Sequence, residues 1–357
     1  MPNPSRSGDR PTVKDVAAAA GVSATTVSRV LAGNYPVSTA VRTRVLRAVR
    51  ELDYVVNAQA RSLVSGSPRT VAFVVRDLVG PSFALVGQGV EQQATAEGRL
   101  CLVCATHGDR ERELELVETM REQRAEAVVL VGGGHEGESH AERMRQVARA
   151  LDRSGSRLVL CGRPPLGDDV PATVVHYDNE GGAYAMTSHL LSLGHREIVF
   201  LGGEESGYTT STERIGGFLR AHRDHGVPVP AERMVYGSFG HEFGYTATRR
   251  LLAQGVRFTA VFAATDMSAT GVLTALREAG VSVPGEVSVV GYDDITLSAI
   301  VTPALTTVHV PHEELGSTAV RLALHRDRHV RSQHTVLGTH VVIRESSGPP
   351  PRQAVTS

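Results

Sequence analysis

At 357 residues the chain is too long for one ordinary hydrophobic core, and its 37 basic and 38 acidic side chains leave a net charge of −1. Residues 1–69 hold ten basic and four acidic side chains, so this segment carries +6 and the rest −7, a basic head on an acidic body. No run of eighteen apolar residues occurs and MPNPSRSGDRP lacks an apolar core, which excludes a membrane span and a secretory signal and predicts a cytoplasmic protein without a membrane partner.

Residues 12–35, TVKDVAAAAGVSATTVSRVLAGNY, predict two short helices around a glycine turn. Thr12 and Asp15 stand at capping-box spacing, Gly21 supplies the turn and Ser23 caps the second helix. The outward positions at the start of the second helix are Ala24, Thr25, Ser28 and Arg29. This arrangement is typical of a helix-turn-helix, whose second helix enters the DNA major groove. A plain αα-hairpin would share the pattern.

A third helix is predicted from Ser38 to Leu52, with an apolar inner stripe and arginines on its outer face. The segment from Asn57 to Val64 follows it and precedes Ser-Gly-Ser-Pro. The motifs KDVA, GVS, TVSRVL, VS, TR, LDY and ARSL come in this order along residues 12–63. On these motifs the head resembles that of the lac repressor and galactose repressor family of bacterial transcription factors.

The resemblance implies a sequence-specific transcriptional regulator, a repressor that binds a pseudo-palindromic operator in double-stranded DNA as a homodimer. Base contacts are expected from Ala24, Thr25 and Arg29. Phosphate contacts are expected from Ser23, Ser28, Asn34 and Tyr54. The segment 57–64 is similar to the family's hinge helix, which folds only on DNA, and its minor-groove residues would be Asn57, Ala60 and Leu63.

From Thr70 onward, Val-rich apolar runs alternate with helical stretches, which predicts βαβ units and doubly wound parallel sheets covered on both faces. The apolar runs are TVAFVV, LCLVCA, AVVLVG, RLVLCG, TVVHY, IVFLGG, AVFAA and SVVGYD. The helical stretches are 83–97, 109–124, 138–153, 180–193, 211–225, 242–254 and 267–279. The fold class is therefore α/β in two lobes behind an all-α head. In the family the body resembles periplasmic sugar-binding proteins, with three crossovers that we place near 163–165, 294–299 and 330–334.

Candidate catalytic and metal motifs fail on their spacing or their context. Cys101 and Cys104 have redox spacing but lie inside one apolar run, where reduced and inert thiols are expected. His135 and His140 are five residues apart and follow glycines, which does not suit a helical HExxH zinc motif. Lys14 is the only lysine, so no GxxxxGK[ST] phosphate loop exists. We therefore expect no enzyme, no metal and no cofactor.

A ligand of doubly wound sheets binds at the carboxyl ends of the strands. The effector-site candidates at these ends are Asp77, Phe83, Thr106, Arg163, Tyr177, Asp178, Arg214, Asp266 and Asp293. Arg214, Asp266 and Asp293 also match family motifs, and a guanidinium with carboxylates suits the hydroxyls of a sugar. Asp178 and Asp266 could instead cap helices, and His195 is assigned a structural role. A nucleoside or another polar metabolite stays open, because the chain has no Trp and few aromatic residues.

The predicted organisation has five parts: a disordered tail 1–11, a headpiece 12–56, a hinge helix and linker 57–69, an effector-binding and dimerisation body 70–345, and a disordered tail 346–357. The proline triplet in SSGPPPRQAVTS precludes a C-terminal heptad helix, so we expect a dimer joined through helices 83–97 and 267–279. Effector binding would rotate the lobes and change the affinity for DNA. The alternative classes are a free-standing solute-binding protein and a phosphate-handling α/β enzyme.

Overall fold

A computed structural model describes residues 11–32, 36–54, 70–134, 137–203, 208–326 and 332–351. The chain divides into two compact units, Met1–Pro68 and Arg69–Ser357, which are described separately as head and body. Four of the predicted DNA contacts, Asn34, Asn57, Ala60 and Leu63, lie outside the described residues.

The described part of the head contains three helices, α1 Val13–Ala20, α2 Ala24–Ala32 and α3 Thr39–Glu51. The Asp15 carboxylate accepts a hydrogen bond of 2.8 Å from the Thr12 N–H, as the capping-box spacing predicted. Gly21 ends α1 in the left-handed conformation at φ +63°. The buried core of the head consists of Val16, Ala17, Ala20, Val27, Val30, Val45 and Ala48. Three short helices are thus held around one small apolar cluster.

The body alternates strands and helices over most of its length. Its strands are β1 Thr70–Val75, β2 Leu100–Ala105, β3 Ala127–Val131, β4 Arg157–Cys161, β5 Ala172–Tyr177, β6 Ile198–Leu201, β7 Met234–Val235, β8 Ala260–Ala263, β9 Ser288–Val290, β10 Thr307–His309, β11 Gln333–Leu337 and β12 His340–Val342. Its α-helices are α4 Pro81–Ala96, α5 Arg110–Glu122, α6 Glu138–Arg153, α7 Asn179–Ser192, α8 Thr209–Asp224, α9 His241–Ala253, α10 Asp266–Glu278 and α11 His312–Leu324. Short 3₁₀ turns lie at Ala231–Arg233 and Thr296–Ala299.

The first lobe is built on a parallel sheet with the strand order β11-β5-β4-β3-β1-β2. Helices α4 and α11 pack on one face and α5 and α6 on the other, so β3 and β4 are buried along their whole length. Strand β2 departs from the prediction of sheets covered on both faces. It forms an edge, and its apolar side chains are exposed at Leu100 (71%), Leu102 (43%) and Val103 (53%).

The second lobe is built on a parallel sheet with the order β7-β6-β8-β9. Helices α7 and α8 cover one face, where Phe200, Phe218 and Phe262 pack together with ring centroids 5.2 to 6.3 Å apart. Helices α9 and α10 pack together on the other face. Within one chain α9 packs on α10, and most of α10 is buried in the lobe. The interface predicted on helix 267–279 stays a prediction.

The crossings between the lobes come later in the chain than predicted. Strand β5 pairs with β4 and so still belongs to the first sheet, which moves the first crossing from 163–165 to residue 178. The second lies at 310–311, between β10 and α11, rather than at 294–299, and the third at 338–339, after β11, rather than at 330–334. Apolar runs do not reveal which sheet a strand joins, since this depends on its long-range partner.

The three crossings lie side by side. Strands β10 and β12 pair in antiparallel fashion with Val308 opposite Val341. The hydroxyls of Thr339 and Tyr292 both donate to the Asp178 carbonyl, at 3.2 and 3.4 Å. The crossings therefore form one hydrogen-bonded junction between the lobes.

Residues 346–351 correct the predicted disordered tail, which was placed at 346–357. The buried Ser346 hydroxyl accepts from the Thr306 N–H at 2.8 Å and donates to the Val289 carbonyl at 2.6 Å. The Gly348 carbonyl lies 2.9 Å from Nε2 of His195, whose buried ring has the structural role expected of it. Residues 352–357 lie outside the described residues. Residues 346–348 are thus tied into the second lobe, because their polar groups complete a buried hydrogen-bond network.

Candidate functional site

A cavity of about 780 Å³ lies where the carboxyl ends of the two parallel sheets meet. Both lobes contribute, through loops after β1 to β4 and after β7 to β9 and through the start of α8. The polar and aromatic residues of its lining are Arg76, Asp77, Ser82, Phe83, Thr106, Glu113, Arg163, Tyr177, Tyr208, Thr210, Arg214, Ser238, Phe239, Thr265, Asp293 and His312. The volume is within the range of small-molecule sites.

Arg214, near the start of α8, is the buried anchor of this lining. Its Nη2 donates to Oδ1 of Asp293 at 3.0 Å and to the Tyr177 hydroxyl at 3.2 Å. Its Nε donates to Oδ1 of Asn179 at 2.9 Å, and its guanidinium carbon lies 3.7 Å from the ring centroid of Tyr292. Burial alone would lower the pKa of Arg214, but the Asp293 carboxylate, Tyr177 and Tyr292 together outweigh burial, so the pKa is raised. The guanidinium therefore stays charged and fixed in one orientation.

Asp293 is held in a backbone conformation that residues other than glycine rarely adopt. Its φ is +113° and that of Asp294 is +55°. Such strain costs on the order of 1–3 kcal/mol for each residue and persists only where the surroundings enforce it. The ion pair with Arg214 restrains Asp293, and Arg344 restrains Asp294 through a hydrogen bond of 2.7 Å. In this conformation the Asp293 carboxylate lines the cavity.

A second buried ion pair closes the first-lobe side of the cavity. Nη1 and Nη2 of Arg163 donate to the two carboxylate oxygens of Glu113, at 2.9 and 2.7 Å, while Nε donates to the Gly132 carbonyl. Nε2 of His140 lies 3.5 Å from the same carboxylate. Burial alone would raise the pKa of Glu113, but Arg163 and His140 hold it far below its usual value. Arg163 lines the cavity as predicted, yet most of its hydrogen-bonding capacity is used by the protein.

Two of the remaining polar residues in the first lobe shape loops. Oδ1 of Asp77 accepts from the N–H groups of Val79 and Gly80, both at 3.0 Å, and Thr106 Oγ1 accepts from the Gly108 N–H. The rim is aromatic, with Phe83 and Phe239 in the lining and the Arg76 guanidinium 5.4 Å from the centroid of the Tyr208 ring. The three arginines of the lining are matched by three carboxylates. An uncharged polar molecule with an apolar face suits such a cavity best.

The head presents a second candidate surface on α2. Thr25 and Arg29 are exposed one turn apart, on the same face of the helix. Ser23 caps α2 by accepting from the Thr26 N–H at 3.1 Å, and the Ser28 hydroxyl donates to the Ala24 carbonyl at 3.1 Å. Ala24 and Tyr54 are half-buried and pack on the head core. On α3 the exposed cations are Arg42, Arg44, Arg47 and Arg50. Of the predicted base contacts, Thr25 and Arg29 are thus the most accessible.

Comparison with known proteins identifies both units. Residues 12–57 match the family model "Bacterial regulatory proteins, lacI family", and residues 187–347 match the periplasmic binding protein-like domain. The chain is 34% identical over 318 residues to the HTH-type transcriptional repressor PurR of Aliivibrio fischeri (strain ATCC 700601 / ES114), with 88% of this chain and 91% of the relative covered. The chain belongs to the lacI family of bacterial regulatory proteins.

Solved structures agree with this membership. The transcriptional regulator CelR in complex with cellobiose is 32% identical, with a TM-score of 0.68 over 94% of this chain and 100% of the other. The lac repressor bound to ONPG in the repressed state is 25% identical, with a TM-score of 0.81 over 95% and 100%. The predicted fold class is confirmed, and this lacI-family protein is a DNA-binding transcriptional regulator rather than an enzyme.

Two predicted effector residues of the lacI-family protein do not line the cavity. Oδ1 of Asp178 accepts from the Gly181 N–H at 2.7 Å, so this side chain caps α7. Asp266 is buried behind the cavity wall, where Oδ2 accepts from the Ser298 hydroxyl at 2.6 Å and from the Ile295 N–H at 3.0 Å. Burial and the nearby Asp293 raise the pKa of Asp266 to about 7. Asp266 therefore braces the loop after β9 instead of meeting a ligand.

Sequence reasoning missed several lining residues of this lacI-family cavity. Arg76 directly precedes the predicted Asp77, and Glu113 could have been suspected as the partner of a buried arginine. Tyr208 and Thr210 lie at the N-terminal end of α8, where a ligand site was predicted only for Arg214. No sequence signal indicates His312, because it follows a crossing and lines the cavity only as a result of how α11 packs on the first lobe.

The other candidate chemistries gain no support in the described ranges. Cys101 and Cys104 are half-buried on the edge strand β2, and burial raises the pKa of the Cys101 thiol to about 11. The described residues contain no cluster of three or more His, Cys, Asp or Glu side chains that could hold a metal. Within the same part of the chain, every helix is too short or too polar to span a bilayer.

Proposed function

We propose that this lacI-family protein is a cytoplasmic repressor that binds a pseudo-palindromic operator as a homodimer and is switched by an uncharged polar effector, a sugar, in the body cavity. The observation that carries the proposal is the buried Arg214–Asp293 pair at the junction of two parallel sheets. A ligand that contacts this pair also contacts loops of both lobes, so its binding energy can favour one arrangement of the lobes over another.

The charge balance of the lining supports an uncharged effector. Arg163 is neutralised by Glu113 and Arg214 by Asp293, so a ligand charge would find no unpaired partner among these four buried groups. One relative in the solved structures is described as a complex with cellobiose, and another, 25% identical, carries bound ribose. Both ligands, cellobiose and ribose, are uncharged sugars with several hydroxyl groups. A nucleoside stays the alternative effector, because the aromatic rim of the cavity would also suit a base.

The head supports operator binding through charge and shape. The +6 charge of residues 1–69 includes the exposed arginines on α3, and this positive surface favours DNA phosphates. Thr25 and Arg29 on the outer face of α2 are placed to contact base edges, Arg29 through a bidentate pair with guanine. Phosphate contacts would come from Ser23 and Ser28 beside them.

The homodimer proposal rests on apolar surface that a monomer would expose. The edge strand β2 presents Leu100, Leu102 and Val103, and the loop after β1 presents Leu78 and Val79 at 64% and 88% exposure. An unpaired apolar edge is an aggregation hazard unless another surface covers it. On the same body a groove joins both lobes, lined by Pro81, Ala84, Leu85, Gln88, Ile295, Thr296 and Leu297. A second copy bound at this groove would contact α4 of the first lobe and residues 295–297 of the second lobe at the same time.

The proposal is tested with the full chain and DNA selected from randomised duplexes. A dimeric repressor should select two related half-sites, and cellobiose, D-ribose or guanosine should change the anisotropy of the labelled duplex. Asp293→Asn should abolish that response and keep DNA binding, while the matched control Asp178→Asn, outside the lining, should respond normally. An Asp293→Asn variant that is folded and fully responsive would overturn the assignment of the cavity. Selection of a single half-site by a chain that sediments as a monomer would overturn the dimer.

A further inference from the structure

The imidazole ring of His312, the first residue of α11, forms no side-chain hydrogen bond within the described part of the chain. The side chain lines the cavity and is only 6% exposed. Among the described residues neither Nδ1 nor Nε2 makes a hydrogen bond. Buried polar atoms in folded proteins are nearly always paired, so two unpaired nitrogens on one ring require an explanation.

The ring lies next to the anchor of the cavity. Its centroid is 6.3 Å from that of Tyr177, in an edge-on arrangement, and Tyr177 accepts from Arg214. Burial lowers the pKa of His312 to about 4; the Asp293 carboxylate and carbonyl oppose this, whereas Arg214 and His309 reinforce it. The imidazole is therefore neutral at physiological pH, and it offers one N–H donor and one nitrogen acceptor.

Packing alone does not account for a histidine at this position. The neighbouring lining residue Leu315, one turn further along α11, belongs to the apolar core of the first lobe. A leucine or phenylalanine at 312 would extend that core without stranding two polar atoms. His222 gives the contrast within the same chain, since it is equally buried but its Nδ1 lies 3.0 Å from the Phe218 carbonyl.

The Asp293 carboxylate also lacks a hydrogen bond at one of its two oxygens in the described part of the chain. In the described part of the chain Arg214 contacts Oδ1 of Asp293, whereas no hydrogen bond to Oδ2 is formed. A carboxylate oxygen accepts only, whereas a neutral imidazole can both donate and accept. Two neighbouring hydroxyl groups on one ligand can therefore bond to the His312 imidazole and to Oδ2 of Asp293, because each hydroxyl can donate and accept.

We infer that His312 contacts the effector directly, exchanging a hydrogen bond with one hydroxyl of an uncharged ligand whose adjacent hydroxyl donates to Oδ2 of Asp293. This inference rests on the proposed function of the cavity and adds a residue that determines specificity within it. A ligand that is anionic at this end would be repelled by Asp293 and would find no free cation in the Arg214 or Arg163 pairs.

The test compares His312→Phe with His312→Gln in the full chain. Phe keeps the ring and removes both polar atoms, while Gln keeps one donor and one acceptor. Cellobiose and D-ribose serve as neutral probes and D-ribose 5-phosphate as the charged one, with binding followed by calorimetry. For the neutral probe that binds, we expect His312→Phe to weaken affinity about tenfold or more and His312→Gln to restore part of it. The charged probe should not bind.

A measurement without ligand separates this role from a structural one. If His312 is reserved for a ligand, His312→Phe should melt at the same or a higher temperature than the wild type, whereas His222→Phe should melt lower because it loses a bonded group. Destabilisation of both variants alike, or unchanged affinity in a folded His312→Phe, overturns the inference. So does a wild-type chain that binds neither neutral probe. If Asp293→Asn loses the effector response while His312→Phe keeps it, the proposed function stands and only the role of His312 is refuted.

Discussion

Arg214→Met tests whether the ion pair at the cavity is held together by mutual charge. The change leaves Asp293 buried without a counter-charge and removes a donor from Asn179 and Tyr177. Removing one member of a buried pair costs about 3–5 kcal/mol. Since each kcal/mol lowers the melting temperature of a domain this large by about 2–4 °C, the loss should be roughly 6–20 °C. Calorimetric melting of the full chain measures it.

A double-mutant cycle and an exposed pair on the same helix provide the controls. Arg214→Met combined with Asp293→Asn should be more stable than the sum of the single losses, because the second change removes the stranded charge. Arg220→Met, which breaks an exposed pair with Glu180 at 2.6 Å, should cost about 0–1 kcal/mol. Equal losses for Arg214→Met and Arg220→Met, or strict additivity in the cycle, would refute the reasoning.

Three further predictions concern the head, the chain end and pH. Arg29→Ala should cost about 1–3 kcal/mol of operator affinity and relax the preference at one base pair per half-site. The control Arg44→Ala, on α3, should weaken binding to all DNA sequences alike. Competition titrations that show uniform weakening for Arg29→Ala would contradict a base contact. Deleting 347–357 should lower the free energy of unfolding by about 1–3 kcal/mol in urea titrations, because His195 loses a buried acceptor, and an unchanged midpoint would contradict this. His312 has a pKa of about 4 in the folded protein, against about 6.5 for an unperturbed histidine in the unfolded chain. The unfolded chain therefore takes up the proton first, and stability should fall by about 3 kcal/mol as the pH drops from 6.5 to 4. His312→Phe should lack that part of the decline, and parallel stability curves for the two chains would rule the assignment out.

Local pattern was enough to predict most elements of the two lobes. The apolar run at 70–75 became β1 at the same residues, and the helix predicted at 138–153 became α6 with the same ends. Buried parallel strands are apolar throughout, and the helices between them keep one apolar face, so both signals are present in the sequence itself. The head was predicted equally well because caps and turn residues act within a few positions.

Features that depend on distant partners could not be predicted in this way. Asp266 and Asp293 both follow an apolar strand and match family motifs, yet only Asp293 faces the cavity. The difference lies in the left-handed backbone at Asp293 and in the hydroxyl donors that meet Asp266. His312 reaches the cavity because α11 packs on the first lobe, which no local pattern at 312–324 indicates.

The paired crossings at the junction of the lobes limit how the body can move. Because β10 and β12 are hydrogen-bonded side by side and Asp178 is tied to Tyr292 and Thr339, the lobes cannot slide past each other without breaking these bonds. A tilt of one lobe relative to the other, about the line along which the crossings lie, requires only small torsion changes in each crossing. We expect such a tilt to be the main relative motion of the two lobes. A single distance between labels on opposite lips of the cavity would therefore be enough to follow it.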